Sequence, residues 1–392
     1  MPTGKTHEWL WRGAFCAAVL AGTFFWAFVA VRVAGQPGGD FSTHAMIARN
    51  VKVQGRPVPH PLYQWTMIAV QRAHPSWHLA ACGVVVVTVF HAFLFALLQK
   101  MAAGALGHRP SLAAASLSVA ASLAVTVTNP INWLRPSEPY FGYIFSNTFH
   151  NPTALLLRPL ALALFFLSLR VLSRPTWPDV AGCAALTVLS ALAKPSHLIC
   201  FLPALGLLLL FRGTVREGGQ RLRAMILGVF APAFLVLAWQ LWVLSTLGRR
   251  FQSPIVWSPF EAVFVHTEPD LLRLLAKALL SILFPLVVLL AYREEARRDE
   301  SLKLAWISLL FAVLYGWGFA ESGPRLAHGN FLWSAQIAAF ILFVVSLLFF
   351  LRRAAASNGR GLRTAFCTSV FLLHLASGAM YAWEYARWGR FT

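Results

Sequence analysis

The sequence predicts an all-α polytopic membrane protein, and its composition and apolar runs support that fold class. Hydrophobic residues make up 58% of the chain and charged residues 12%, about half the charged share of an ordinary soluble domain. Nine apolar runs in the 392 residues are long enough to cross about 30 Å of hydrocarbon. A further apolar stretch, residues 179–211, is interrupted by Lys194 and Pro195.

The nine runs are interpreted, in chain order, as transmembrane helices. They cover residues 13–34, 77–99, 111–128, 154–173, 224–246, 272–292, 304–320, 332–351 and 364–386. The first run is too long for a typical signal-peptide core and has no clean cleavage site after it, so we expect it to remain as a helix. Because proline disfavours helix geometry before it, residues 179–211 are predicted to form two short helices with a hairpin at Lys194. The prediction is about 11 transmembrane helices in one integral membrane domain, residues 1–392.

The distribution of arginine and lysine predicts the orientation of these helices. With the N-terminus in the cytoplasm, the basic loops 212–223, 293–303 and 352–363 all face the cytoplasm. If residues 179–211 crossed only once, those three loops would lie outside, which favours the hairpin. The C-terminus is therefore expected on the extracytoplasmic side. The chain is rich in alanine and arginine, which is typical of bacteria with GC-rich genomes, so a bacterial inner membrane is favoured. A location in the endoplasmic reticulum remains an alternative.

The formal net charge of +19 would suggest nucleic acid in a soluble chain. Here many arginines lie in short loops between apolar runs, so they are interpreted as topology signals and contacts to anionic lipids, and no nucleic-acid partner is expected. The five cysteines lie in or beside apolar runs without metal-ligand spacing. Neither a disulfide framework nor a zinc site is indicated.

The first extracytoplasmic loop, residues 35–76, contains the two residues predicted to be catalytic. Asp40 is the only acid in this loop, and as a general base it would accept a proton from an attacking hydroxyl. His44 lies four residues later and shares its face if a helix begins here. The alternative is that Asp40 only caps that helix. The later part of the loop is a candidate interfacial helix, with Tyr63 and Trp65 at headgroup level.

Other ionisable groups are expected on the same side of the membrane, where charge next to lipid usually marks a substrate path. Arg158 lies inside an apolar run, where it either grips a phosphate or extends to the headgroups. Glu321 and Arg325 either bind substrate or pair with each other. The predicted substrate- and phosphate-binding residues are Arg135, Glu138, His150, Arg158, Lys194, Glu321, Arg325 and His328.

The pattern resembles the GT-C class of membrane glycosyltransferases, which use polyprenyl-phosphate sugars on the extracytoplasmic side. The likeness rests on Asp40 just after the first helix, on the segment Leu189–Pro203 with its lysine-containing turn, and on many helices enclosing basic outside loops. The resemblance implies a GT-C-like fold in which Asp40 deprotonates an acceptor hydroxyl while Lys194, Arg158 and Arg325 stabilise the phosphate charge. No Asp-x-Asp pair follows Asp40, so no cofactor or metal is expected, with a divalent metal left open.

The implied partners are a polyprenyl-phosphate-linked sugar, a glycan, lipid or protein acceptor, and membrane lipids. Three alternatives remain: a polymerase or ligase using a lipid-diphosphate glycan, a lipid or solute transporter, and a scaffold subunit of an envelope complex. A transporter should carry polar groups near the middle of the membrane and an internal repeat. The charges instead cluster at one face and no repeat is visible, which favours an enzyme.

Overall fold

The computed structural model describes residues 4–36, 39–107, 112–124, 149–214, 219–246, 253–265, 267, 269–356 and 361–388. These residues form a helical bundle with a single pair of short strands. The predicted site residues Arg135 and Glu138 lie outside the described residues.

The elements are numbered in chain order. The first eight helices are α1 (Gly4–Ala34), α2 (Asp40–Gln54), α3 (Leu62–Ala73), α4 (Leu79–Ala105), α5 (Leu112–Ala124), α6 (Pro152–Ser173), α7 (Trp177–Ala193) and α8 (Ser196–Phe211). Helix α9 (Gly219–Thr246) contains the π-helical segment Ile226–Phe230. Strand β1 (Ile255–Trp257), α10 (Glu261–Phe264), α11 (Leu271–Ser281), α12 (Leu283–Ala291) and α13 (Arg293–Ala296) follow. The chain continues with α14 (Glu300–Gly318), β2 (Phe319–Glu321), the 3-10 turn Gly323–His328, α15 (Leu332–Ala356) and α16 (Leu362–Trp388).

Within the described residues, six helices are long and apolar enough to cross a membrane: α4, α6, α9, α14, α15 and α16. Each overlaps a run predicted to be a transmembrane helix. Shorter apolar helices are Val19–Ala34 of α1, α7 and α8. Helices α7 and α8 meet at Lys194 and Pro195, where the hairpin was predicted. The chain is therefore a helical, multi-pass membrane protein, as its composition predicts.

The predicted helix 272–292 is wrong as one continuous span, because the chain breaks there into α11 and α12 with a bend of 66°. Pro285 explains the break: it lacks the N–H that would bond to the carbonyl of Ser281, and its ring clashes with that carbonyl in a continuous helix. The freed N–H of Phe284 donates to Nε2 of His374 at 3.3 Å. A histidine of α16 thus satisfies a backbone donor at the broken end.

Helix α15 is the centre of the bundle. Its residues from Trp333 to Leu351 are buried without exception, so it has no face left for lipid. Helices α14, α8, α12, α6 and α4 pack around it. A helix enclosed on every side can hold side chains in fixed positions, and its first turns lie beside the Lys194 hairpin.

Ion pairs join the basic loops at one end of the bundle. Arg212, after α8, lies 2.8 Å from a carboxylate oxygen of Glu300 at the start of α14. Arg352, near the end of α15, lies 3.0 Å from Asp299. Three of the loops predicted to be cytoplasmic therefore meet at one end of the bundle. The Lys194 hairpin, which joins the end of α7 to the start of α8, lies at the other end.

Helices α2 and α3 pack on α4, and a glycine permits the close approach. Tyr63 of α3 is fully buried, with its hydroxyl over Gly83 of α4. The ring of Tyr63 therefore faces the protein interior and not lipid, because it fills the space that Gly83 leaves free; its depth at headgroup level stays a prediction. Trp65, at 48% exposure, is the residue of the pair that faces outward.

We expect Gly83→Ala to destabilise the protein by about 1–3 kcal/mol, because the new methyl group would overlap the Tyr63 hydroxyl and lie 3.0 Å from the Met67 sulfur. Thermal unfolding in detergent measures the effect. Gly104→Ala is the matched control, since this glycine of the same helix has open space around it and alanine favours a helix by up to about 1 kcal/mol. Equal midpoints for the two variants would contradict the packing of α3 on α4.

Candidate functional site

Asp40 begins helix α2, but its carboxylate does not cap that helix. The N-cap is Gly39, without a side-chain cap bond, and Oδ2 of Asp40 instead accepts a hydrogen bond from Nδ2 of Asn151 at 3.0 Å. The Asp40 side chain is 38% exposed, so one side of the carboxylate stays open to the exterior. The helix-cap alternative is thus not what the structure shows, and the group is available to a substrate.

Asn151 holds this carboxylate in place because its own amide orientation is determined by helix α6. As the N-cap residue, its Oδ1 accepts from the backbone N–H of Ala154 at 3.0 Å and from the Thr153 hydroxyl at 2.7 Å. With the oxygen occupied in this way, the amide nitrogen points at Asp40. The start of α6 and the start of α2 are joined by one side chain.

His150 and Trp333 extend the site from the carboxylate toward the central helix. Nε2 of His150 lies 3.9 Å from Oδ2 of Asp40, and the imidazole centroid lies 5.6 Å from the ring of Trp333. A protonated His150 would form an ion pair with Asp40 at this distance. The histidine therefore lies between the acid and the aromatic ring that opens α15.

Lys194 ends helix α7 and is 8% exposed. Its ammonium lies 3.9 Å from the centroid of the Trp333 ring, a close cation–π contact. Burial lowers the pKa of Lys194 to about 7, and the nearby charge of Asp40 raises it and so favours the ammonium form. The predicted phosphate-binding lysine and the predicted base thus lie in one site, with Trp333 covering the lysine.

Arg158 is buried against the same central helix. It is 6% exposed, and its guanidinium carbon lies 5.4 Å from the ring centroid of Phe340, two turns after Trp333. The side chain therefore packs inside the protein and does not extend to the headgroups. Arg158, Lys194, Trp333 and Gln336 line a cavity of about 10 Å³, which is about the room of one water molecule.

His44 lies beside this group and is held neutral. Its Nδ1 accepts from Nε2 of Gln64 at 2.8 Å, which leaves the proton on Nε2. Burial lowers the pKa of His44 to about 4, with Asp40 raising it and Lys194 lowering it further. A neutral imidazole with its acceptor nitrogen occupied can donate from Nε2, so His44 is better suited to orient a substrate oxygen than to remove a proton.

His60, which the sequence did not single out, joins the loop after α2 to the same site. Burial lowers its pKa to about 3, and the nearby charges of Lys194, His44 and Arg325 lower it further. These interactions place Arg325 near the site from the other side. The flanking residues Pro59 and Pro61 are a local signal that could have marked this histidine as held in a fixed position.

Glu321, Arg325 and Asn330 form a group of their own. Nε of Arg325 lies 3.4 Å from Oε2 of Glu321, and Asn330 donates to the same oxygen. The alternative that Glu321 and Arg325 pair with each other is what the structure shows. His328 is exposed at the end of the 3-10 turn. Of the predicted residues in this segment, Arg325 is the one whose charge reaches the Asp40 site.

The residues that were not among the predicted site residues hold those residues in position. Asn151 holds Asp40, Trp333 contacts both His150 and Lys194, and Gln64 orients His44. The sequence His150-Asn151-Pro152 is recognisable as the start of a helix, and Asn151 is indeed the N-cap of α6, but this pattern does not show that its amide nitrogen binds Asp40. Trp333 looks like any aromatic residue at the end of an apolar run, and no local signal distinguishes it.

We expect the stability of the protein to fall between pH 7 and pH 5 because of His44. Its folded-state pKa of about 4 lies below the ordinary value, so the unfolded chain binds more protons in this window and stability decreases by up to about 2 kcal/mol. Unfolding midpoints at the two pH values should therefore differ less in His44→Gln than in the wild type. His328→Gln, at an exposed position, serves as the control and should keep the wild-type difference. An unchanged difference in His44→Gln would show that the imidazole is not held neutral.

The site as a whole combines one open carboxylate with two buried cations, at the end of the bundle opposite the basic loops. Among the described residues, no three His, Cys, Asp or Glu side chains are gathered closely enough to hold a metal ion. No protein-family model, no curated protein and no solved structure matches this chain.

Proposed function

We propose that the protein is a membrane glycosyltransferase that transfers a sugar from a polyprenyl-phosphate donor to a lipid, glycan or protein acceptor on the extracytoplasmic face. The observation that supports this most is the position of Asp40. Its carboxylate is open on one side, is held by Asn151 on the other, and has a charge that interacts with the buried Lys194. An open acid with a cation nearby suits a transfer in which a hydroxyl loses a proton and a phosphate leaves.

In the proposed reaction, Asp40 accepts the proton of the acceptor hydroxyl as its oxygen attacks the anomeric carbon of the sugar. The bond between that carbon and the phosphate oxygen breaks, and the lipid phosphate leaves with the electron pair. Lys194 and Arg158 stabilise the charge that develops on the phosphate, because a cation in a water-poor site acts more strongly than in bulk water. Asn151 and His150 position Asp40.

A phosphate at Lys194 requires the indole of Trp333 to move. The cavity beside Lys194 has room for about one water molecule, and the indole lies over the ammonium. The ring compensates the lysine charge while no anion is present, and an incoming phosphate would replace it. Trp333 is the second residue of α15, so a movement at this point involves the end of the helix and not its packed middle.

A second candidate is a polymerase or ligase that uses a lipid-diphosphate glycan, and the number of cations favours it. Lys194 interacts with Asp40 and His60, Arg325 interacts with His60, and Arg158 lines the same small cavity as Lys194. Three cations suit a diphosphate better than a monophosphate. A donor panel that contains both lipid monophosphate and lipid diphosphate sugars distinguishes the two candidates.

We also propose that the chain crosses the membrane eleven times, in a bacterial inner membrane, with a cytoplasmic N-terminus and an extracytoplasmic C-terminus. The ion pairs Arg212–Glu300 and Arg352–Asp299 support a common cytoplasmic end. At the other end, Arg32 donates to the backbone oxygen of Arg387 at 2.8 Å, so the last turns of α1 and α16 lie together. The first and last helices therefore end on the side opposite the basic loops. A chain that starts on one side of the membrane and ends on the other crosses it an odd number of times.

Asp40→Asn is expected to reduce sugar transfer by about 10²- to 10⁴-fold, because the amide cannot accept the proton of the acceptor. Transfer from radiolabelled polyprenyl-phosphate sugars in membranes that carry equal amounts of protein measures the effect. Asp179→Asn is the matched control, since Asp179 pairs with Arg170 at 3.1 Å at the cytoplasmic end of α7.

Equal loss in the two aspartate variants would assign the effect to folding and would count against Asp40 as the base. Transfer only from lipid-diphosphate glycans would favour the polymerase or ligase. Wild-type membranes that transfer from no donor of either kind would remove the transferase proposal.

A membrane-impermeant maleimide should label Gln54→Cys in intact cells, and Arg297→Cys only after the membrane is opened. Both positions are exposed, one in the first outside loop and one in a basic loop predicted to be cytoplasmic. The experiment uses the Cys16→Ser background, because Cys16 is the exposed cysteine among the described residues. Labelling of Arg297→Cys in intact cells would show that α7 and α8 do not form two crossings.

A further inference from the structure

A wide apolar cavity lies between helices α1, α5 and α16, away from the charged site. Its volume of about 610 Å³ is within the range of ligand pockets in proteins. The lining includes Gly22, Trp26, Val119, Leu123, Ala379 and Trp383. Among the described residues, the lining contains no charged side chain and one hydroxyl, that of Ser116. The space therefore suits a hydrocarbon chain, whose polar headgroup would lie elsewhere.

The cavity lies at a depth that corresponds to one leaflet of the bilayer. Its lining residues Trp383 and Leu375 precede the end of α16 at Trp388 by five and 13 residues, which is about 8 and 20 Å of helix. On α1, Ala21 and Trp26 lie at similar depths below Ala34. These ends of α1 and α16 meet at the proposed extracytoplasmic face. A lipid chain in the cavity would thus belong to the outer half of the membrane.

The wall of the cavity is continuous with the charged site through aromatic rings. The ring of Trp26 lies 4.5 Å from that of Phe149, and Phe149 is also stacked at 5.4 Å on Tyr381. The next residue in the chain is His150, whose imidazole lies 3.9 Å from Asp40. One residue therefore separates the apolar wall from the polar group that contacts the proposed base.

We infer that this cavity holds the isoprenoid chain of the lipid-linked donor, with the phosphate directed toward His150 and Lys194. The inference rests on the proposed function. A single chain suits one apolar volume between three helices, and its anionic end is directed to the end of the bundle that holds two buried cations. Gly22 lines the space, and a side chain here would start in contact with Val119, another lining residue, so that a larger residue narrows the cavity.

Binding of radiolabelled polyprenyl phosphate without a sugar, to protein in nanodiscs, tests the inference separately from catalysis. Ala379→Trp fills the cavity from an exposed position and should weaken binding at least 10-fold. Ala365→Trp is the matched control, because it lies on the same helix, is also exposed, and is about 21 Å away. Gly22→Leu fills the cavity from α1 and should have the same effect as Ala379→Trp.

Equal affinity in the wild type and in a folded cavity-filling variant would overturn the inference. It would also be overturned if dioleoyl phosphatidic acid displaced the probe as well as unlabelled polyprenyl phosphate did, since an ordinary phospholipid would then be the occupant. If the wild type transferred sugar from no donor but still bound polyprenyl phosphate in a way that depends on the cavity, the proposed reaction would be removed. The assignment of the cavity to the isoprenoid chain would then still be supported.

Discussion

The burial of two cations beside the central helix is the constraint on which the site depends. A lysine or arginine removed from water loses hydration worth several kcal/mol, so its surroundings must compensate it. Here the compensation comes from aromatic faces of α15: Trp333 covers Lys194 and Phe340 covers Arg158. Helix α15 holds both rings next to the cations because neighbouring helices enclose it along most of its length, and Trp333, in its first turn, is the ring that an incoming phosphate would displace. The same side chains of α15 therefore pack the hydrophobic core and compensate the buried charges of the site.

Helix ends contribute to the electrostatics of the site. Helices α2, α6, α8 and α15 begin at the end of the bundle that holds Asp40, Asn151, Lys194 and Trp333, and α1, α7 and α16 end there. The N-terminus of a helix carries a partial positive charge and the C-terminus a partial negative one, and each acts mainly within one turn. A carboxylate in the first turn of α2 is favoured there, and so is a bound phosphate. Burial lowers the pKa of both His44 and His60, and the nearby charge of Lys194 lowers it further.

The charged site and the apolar cavity lie at neighbouring positions because α1 and α16 end together. Phe149 lies between Trp26 of α1 and the two tyrosines of α16, Tyr381 and Tyr385. This aromatic layer separates a polar volume from an apolar one over a single residue of chain. A lipid with a long hydrocarbon chain and an anionic head also has an apolar part next to a polar part. One such ligand could therefore place its chain in the cavity and its head at the charged site.

The sequence by itself determined the fold class, the positions of most helices, and the placing of polar groups at one side. Apolar runs and Lys194-Pro195 are local features, so 152–173, 332–356 and the α7–α8 hairpin could be predicted from them. The tertiary structure alone decided the bond between Asp40 and Asn151, 111 residues apart, and the cover of Trp333 over Lys194. It also decided the burial of Tyr63 and the capping of the break before Phe284 by His374. These contacts depend on which helix faces meet, and that is the result of packing all the helices at once and not of any local pattern.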